Sequence, residues 1–159
     1  MKRREPRRDR VARETYLLVE LLGQRLGGEL EALCRSEGLS AAQYPVLWVI
    51  CLQDDPGGIS QGAISDGLIT QASDVSRLVS RLEQAGLLRR KRSPADRRVV
   101  LVRATPRGRD VFERTTARVK ALHRVQFGDL DDDELDLLHS LLNRAFWSRV
   151  DGSKAAEAS

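Results

Sequence analysis

Aromatic residues, cysteine and histidine are all scarce in this sequence of 159 residues. Phe, Trp and Tyr together make up 4% of the chain, and there are two cysteines and two histidines. These residues are scattered and no carboxylate pair has a partner base, so the sequence offers no candidate catalytic site. Cys34 and Cys51 lie within apolar helical patterns, which predicts buried, inert thiols in a reducing compartment.

Long apolar runs are also missing. No stretch reaches the roughly 18 to 20 residues that a membrane helix needs. The opening residues, MKRREPRRDRVARE, lack the apolar segment of a secretion signal. We therefore expect a cytoplasmic protein. The acidic stretch DLDDDEL (129–135) is more simply a helix start than a metal site, and it lacks the alternating ligands and glycine of a calcium loop. The sequence thus predicts no enzyme, no metal and no cofactor.

Positive charge is concentrated in two segments of a chain whose net charge is +4. Residues 1–13 contain seven basic and two acidic side chains, and residues 89–98 contain six basic and one acidic. Each segment has a net charge of +5, which leaves −6 for the rest of the chain. Clustered cations on a negative remainder predict a protein that meets a polyanion with one face.

Leucines recur at helical spacing near the start of the chain. Their separations of three, four and seven residues predict a first helix over 13–37, with Gly38 as its C-terminal stop. Residues 1–12 are too charged to pack, so we expect them to be disordered.

Two further helices are predicted near the other end of the chain. Thr105 followed by Pro106 suits the cap and first position of a long helix that reaches Phe127. A last helix should follow the acidic stretch and end near residue 149. We expect residues 150–159 to be disordered.

The middle of the chain has the signals of a helix-turn-helix. Ser40 and Gln43 form a capping box that opens a second helix. Ser60 can cap a short third helix, and Thr70 can cap a fourth that runs from about Gln71 to Gln84. The link at 67–70 contains glycine and is as tight as a helix-turn-helix requires.

The helix predicted over 71–84 has two different faces. The apolar face, which must pack against the domain, carries Ala72, Val75, Leu78, Val79 and Leu82. Short hydroxyls and fork-ended side chains, which suit contacts with base edges, occupy the opposite face; they are Gln71, Ser73, Asp74, Ser76, Arg77, Ser80, Arg81 and Gln84. Asp74 either pairs with Arg77 and orients it, or accepts a hydrogen bond from a cytosine amine; the pairing is favoured.

A basic hairpin follows this helix. A strand near Arg90 and a return strand over 99–102 flank the turn SPAD at 93–96. A hairpin in this position can reach a minor groove, whose negative potential attracts arginine. Asp96 can hold one guanidinium extended while the other meets phosphate. Together the helix and the hairpin predict a DNA interface made of Gln71, Ser73, Asp74, Ser76, Arg77, Ser80, Arg81, Arg90, Arg92, Asp96, Arg97 and Arg98.

The segment VSRLVSRLEQAGLLRRKRSPADRRVVLVRATPRGRDVFE (75–113) resembles the MarR (multiple antibiotic resistance regulator) family of winged-helix transcription factors. It is similar to that family's recognition helix, wing signature and the start of its dimerisation helix, and the likeness extends in outline over 13–147. The resemblance implies a mainly helical fold with a small β-hairpin: a single MarR-like domain with a winged helix-turn-helix lobe at 40–104 and dimerisation helices at 13–37 and 105–149.

The resemblance also assigns roles to particular residues. It implies that Ser73, Ser76 and Arg77 lie in the major groove and that Asp96 and Arg98 form the wing-tip pair. It implies a homodimer that reads a pseudo-palindromic operator. The sequence departs from the family pattern at Ala104, where leucine is common, and at Gly62 and Gly67, in a helix usually richer in Glu, Leu and Ala.

MarR-like proteins are typically repressors that release DNA when a small phenolic or lipophilic molecule, or an oxidant, acts on them. The resemblance therefore implies an effector cleft, for which Arg13, Tyr16, Tyr44 and Trp48 are the candidate lining residues, with His123 a further one. Core packing is the competing explanation for Trp48. Members of the family that sense oxidants have a reactive cysteine near the start of the first helix, where this chain has none. Cys34 lies near the far end of that helix, and the adjacent Arg35 gives little support for a lowered thiol pKa.

Two other classes of protein fit parts of the pattern. An architectural or non-specific nucleic-acid-binding protein would lose affinity similarly for every duplex as salt rises. A purely structural dimerisation protein would show no salt-dependent binding of nucleic acid.

Overall fold

The computed structural model describes residues 6–53, 55–68 and 74–157, with side chains as far as residue 147. Its elements are α1 (Arg7–Ser36), α2 (Gln43–Gln53), β1 (Ile59–Ser60), α3 (Gln61–Asp66), α4 (Val75–Gln84), β2 (Leu88–Arg92), β3 (Val100–Ala104), α5 (Pro106–Gln126) and α6 (Asp132–Glu157). The fold is mainly helical with a small antiparallel sheet, as predicted. The chain forms two compact units, Met1–Lys120 and Ala121–Ser159.

The two terminal helices are longer than predicted. Disorder over residues 1–12 is wrong from Arg7 onward, because α1 begins there. Disorder over 150–159 is wrong as far as Glu157, where α6 ends. Charge hinders packing but not helix formation, since Arg, Ala and Glu have high helix propensity. Asp9 also lies in the first turn of α1, where a carboxylate complements the helix dipole.

The helix starts in the middle of the chain are fixed by the predicted side chains. The N–H of Gln43 donates to Ser40 Oγ at 3.2 Å, and the N–H of Ser40 donates to Gln43 Oε1 at 2.8 Å. This reciprocal pair is the predicted capping box. Ser60 Oγ accepts the N–H of Ala63 at 3.1 Å and caps α3, as predicted.

A threonine hydroxyl joins the end of α4 to the start of α5. Thr105 Oγ1 donates to the carbonyl of Gly86 at 2.8 Å and accepts the N–H of Gly108 at 3.0 Å. A Cβ at Gly108 would lie 2.1 Å from the carbonyl oxygen of Leu87, so only glycine fits there. Thr105 and Pro106 therefore open α5 as predicted.

The sheet has three strands where the sequence predicts two. The strand order is β1-β3-β2, with both pairs antiparallel, and Val102 lies opposite both Ile59 and Arg90. β1 has only two residues, too few to show an alternating pattern. Gly58, with φ at 89°, brings the chain close to β3, and a Cβ there would lie 3.0 Å from the carbonyl oxygen of Val102.

The core lies between the middle helices and one face of the sheet. Its fully buried large side chains include Leu47 of α2, Ile64 of α3, Leu82 of α4 and Leu88 of β2. Gly67 ends α3 against α2, where a Cβ would lie 2.9 Å from Val49 Cγ1. Close packing thus explains this departure from the family pattern.

Candidate nucleic-acid interface

The first turn of α4 is organised by Asp74. This residue is the N-cap, and its Oδ1 accepts the N–H of Arg77 at 3.0 Å. Its Oδ2 lies 2.9 Å from Arg77 Nε, so the favoured pairing of the two side chains is confirmed. Arg77 remains 60% exposed, because the ion pair uses one edge of the guanidinium. The carboxylate therefore orients a cation that is still open to a partner.

The helix begins later than predicted. α4 starts at Val75, since Asp74 has φ of −156° and ψ of 59° and is not helical. The predicted cap Thr70 and the site residues Gln71 and Ser73, like Ala72 on the apolar face, lie outside the described residues. The apolar face is otherwise confirmed, because Val75, Leu78, Val79 and Leu82 are buried.

The exposed face of α4 carries two of the predicted arginines. Arg77 and Arg81 are exposed, as are Ser76 and Gln84. Ser80 is half-buried, and its hydroxyl donates to the carbonyl of Ser76 at 2.8 Å. The exposed face of α4 therefore combines two cations with the short side chains of Ser76 and Ser80, over which another surface can approach closely.

Arg90 differs from the free phosphate-binding cation that the sequence predicts. Its Nε lies 2.7 Å from Glu83 Oε2, and its backbone N–H donates to Glu83 Oε1 at 3.2 Å. Its Nη2 also donates to Ser80 Oγ. The guanidinium thus fastens β2 to α4. We call the three side chains Ser80, Glu83 and Arg90 the helix–wing clasp, and its effect is to fix the angle between the hairpin and the helix.

Glu83 was missed by sequence reasoning. The signal is its position: an acidic residue in the last turn of a helix opposes the helix dipole. Such a residue needs another reason to be there, and a basic strand seven residues away supplies one. This separation could have identified the clasp.

The turn of the hairpin at 93–99 is built by side-chain caps. Asp96 Oδ1 accepts the backbone N–H of Arg98 at 2.9 Å. In the described part of the chain no ion pair joins Asp96 to a guanidinium, so the predicted extension of an arginine by this carboxylate is wrong. Asp96 instead shapes the turn, a common use of aspartate. Arg97 and Arg98 are exposed at its tip, and Arg92 Nη1 donates to the carbonyl of Arg97 at 3.5 Å.

The four candidate effector residues lie on α1 and α2. Tyr16 is 66% exposed and Trp48 is 41% exposed, so Trp48 is not a core residue. Tyr44 is half-buried, and its hydroxyl donates to Thr116 Oγ1 at 3.3 Å. Arg13 is exposed.

The cysteines are buried. Cys34 and Cys51 are free thiols, and Cys34 is fully inaccessible. Burial, and to a smaller extent the charge of Glu31, raises the pKa of the Cys34 thiol. Because the thiolate is the reactive form, this environment favours the inert thiol over an oxidant sensor.

Metal and membrane features are absent from the part of the chain that the structure describes. No group of three or more His, Cys, Asp or Glu residues there could hold a metal ion. None of the helices described combines the length and apolar character needed to cross a membrane.

The core helices, the short sheet and the basic hairpin define a winged helix-turn-helix protein. The MarR family profile matches residues 37–99. The chain is 28% identical over 131 residues to the transcriptional repressor IacR of Pseudomonas putida, covering 82% of this chain and 76% of IacR. Residues 37–99 therefore carry a MarR family domain.

Two solved structures extend the likeness beyond the matched segment. A mutant of Escherichia coli MarR complexed with operator DNA superposes with a TM-score of 0.70 at 26% identity, covering 80% of this chain and 90% of that one. CouR of Rhodococcus jostii RHA1 bound to p-coumaroyl-CoA gives a TM-score of 0.66 at 28% identity, covering 80% and 88%.

Proposed function

We propose that this protein is a sequence-specific DNA-binding transcriptional regulator. The observation that carries the proposal is the exposed face of α4, where Asp74 holds Arg77 beside a hairpin tipped by Arg97 and Arg98. Arginine with one edge fixed is suited to bidentate contact with guanine in the major groove. The hairpin cations suit phosphate or the minor groove. A protein of this kind binds rather than catalyses, and we place it with its DNA in the cytoplasm.

The experiment is a selection of duplexes from a random pool, followed by titration of the winner and a scrambled control at two salt concentrations. Arg77→Ala should reduce the preference for the winner by about 1 to 3 kcal/mol. Arg98→Ala, the matched control on the hairpin, should weaken both duplexes alike. Equal effects of the two changes would contradict these assignments. Equal affinity of the unaltered protein for both duplexes would favour a non-specific nucleic-acid-binding protein instead.

We further propose that the protein binds DNA as a homodimer. The support is the apolar surface of the terminal helices: Leu18 and Leu21 of α1 are 68% and 62% exposed, and Leu137 of α6 is 60% exposed. Exposed apolar surface on either helix marks protein contacts. A two-fold dimer should read a pseudo-palindrome with half-sites roughly 10 base pairs apart.

The regulator is proposed to be a repressor that a small aromatic or lipophilic effector releases from DNA. Support comes from the partly exposed aromatic side chains of Tyr16 and Trp48 with Arg13 on the same helix as Tyr16. In calorimetry with a panel of aromatic acids, at least one member should give a heat of binding. The same member should reduce the affinity of the protein for the selected duplex. Absence of both effects across the panel removes the effector from the proposal.

A further inference from the structure

The sheet has a second basic surface that the proposed DNA interface does not use. Successive strand residues point to opposite faces, and the inner face holds the buried residues Leu88 and Val102. Arg89, Lys91 and Arg103 are exposed on the other side, which we call the outer face. Arg89 lies directly opposite Arg103 across the two strands. Like charges in this position destabilise a sheet unless something neutralises them.

The chain supplies no neutralising group within the described residues. No carboxylate there forms an ion pair or hydrogen bond with Arg89, Lys91 or Arg103. Two neighbouring cations differ in this respect, since Arg77 pairs with Asp74 and the clasp pairs Arg90 with Glu83. The outer face therefore combines mutual repulsion with the absence of an internal counter-charge.

A cleft lies at the end of the outer face nearest to α5. The cleft, of about 570 Å³, is lined by Arg89, Arg90, Lys91, Arg103, Ala104, Thr105 and Pro106. Pro106 is the first residue of α5, a helix of 21 residues whose N-terminal end adds positive potential. Gly58 also matters here, because a Cβ would lie 2.8 Å from Arg103 Cγ. The missing side chain lets the stem of Arg103 rest on the backbone and places its charge at the cleft.

We propose that the outer-face cleft binds a phosphate group. Arginine forks match the oxygens of phosphate, and a helix N-terminus favours the same anion. The phosphate can come from two sources: the backbone of DNA beyond the half-site that α4 reads, or a small phosphate ester that regulates the protein. Only the first source rests on the proposed function.

The first experiment uses the DNA-free protein. Inorganic pyrophosphate is titrated at constant ionic strength while backbone amide resonances are followed by NMR. The amides of Lys91, Arg103 and Thr105 should shift and saturate. Arg103→Ala should abolish the saturable shift. Arg124→Ala, which removes an exposed arginine of α5 outside the cleft, should leave it unchanged.

The second experiment uses the selected duplex in two lengths, one minimal and one extended by roughly 10 base pairs at each end, a helical turn. On the extended duplex, Arg103→Ala should lower the slope of log affinity against log salt by about one, the loss of one phosphate contact. Arg124→Ala should not change the slope. Both side chains are exposed, so both variants should keep the fold.

The outcomes separate the two sources. A fall in slope assigns the phosphate to DNA. Saturable pyrophosphate binding with an unchanged slope assigns it to a small phosphate ester. If pyrophosphate causes no saturable shift and the salt slope does not change, the proposal is overturned. If the unaltered protein binds no duplex, the proposed function fails, and the pyrophosphate titration alone decides whether the cleft is a phosphate site.

Discussion

α1 and α2 both have the leucine and valine content of packed helices, yet they relate to the core in opposite ways. α2 buries five of its 11 residues, whereas α1 buries only Cys34 of its 30. α1 instead exposes large apolar side chains, namely Val11, Tyr16, Leu17, Leu18, Val19, Leu21 and Leu22. Apolar spacing therefore predicts a helix, but it does not show whether the same chain or another chain covers the apolar side of that helix.

The largest effect is expected where α2 meets the core. Leu47→Ala removes a fully buried side chain and should lower the free energy of unfolding by about 2 to 5 kcal/mol, because the cavity closes only in part. Leu52→Ala is the matched control on the same helix, 56% exposed, and should stay within roughly 0.5 kcal/mol. Urea unfolding measures both. Similar losses for the two variants would contradict the division of α2 into buried and exposed sides.

The next effect concerns α1. Leu18→Glu combined with Leu21→Glu should raise the dissociation constant of the proposed homodimer by roughly a hundredfold, about 3 kcal/mol, because two apolar side chains lose a dry contact. Sedimentation equilibrium measures this change, with Leu52→Glu as the exposed-leucine control. A protein that is monomeric before mutation, or whose dissociation constant does not move, would show that another partner covers α1.

A smaller effect tests the helix–wing clasp. Arg90→Ala leaves Glu83 without its partner and should weaken binding to the selected duplex by about 1 to 2 kcal/mol with little change in salt slope. Arg92→Ala, two residues along β2 and exposed, should instead reduce the slope by about one. Binding isotherms at several salt concentrations distinguish them. A reduced slope for Arg90→Ala would make Arg90 a phosphate contact, as the sequence predicts.

The smallest effect concerns the C-terminal end of α1, which is joined to α5 by ion pairs. Glu37 lies 2.5 Å from Arg118 Nη1 and 3.4 Å from Arg114 Nε, both on α5. Hydrogen bonds from Arg118, and then Arg114, lower the pKa of Glu37 below its ordinary value of 4.5. The ionised carboxylate therefore stabilises the fold at any pH above the pKa that Glu37 has in the unfolded chain. This contribution is lost as the pH falls through the lower pKa that Glu37 has in the folded protein.

Glu37→Gln should lower stability near neutral pH and flatten the loss of stability on the acid side. Thermal unfolding followed from neutral pH downward provides the measurement. Identical acid profiles for the variant and the unaltered protein would mean that the ion pairs add nothing in solution, as is common where the arginines are half exposed.

Much of the fold was predictable because local signals agreed with one another. The capping box at Ser40 and Gln43, the cap at Ser60 and the Thr105-Pro106 start were all found, since each depends on residues only a few positions apart. β1 was missed because its pairing with β3 is a contact across some forty residues, 59 with 102, which no local pattern records.

The candidate interface was predicted less completely, for the same reason. The apolar face of α4 and the Asp74–Arg77 pair follow from helical spacing. The roles of Arg90 and Asp96 do not, because an arginine in a basic run looks the same whether it faces solvent or a glutamate on a neighbouring helix. Charge counting located the hairpin but could not separate the clasp from the exposed tip.

The joint made by Thr105 has a mechanical consequence. One hydroxyl bonds to the carbonyl that follows α4 and to an amide in the first turn of α5, and Gly108 lies against the intervening backbone. The end of α4 and the first turn of α5 are therefore joined by one side chain and by a close backbone contact. We therefore expect a displacement of the first turn of α5 to move the C-terminal end of α4 with it.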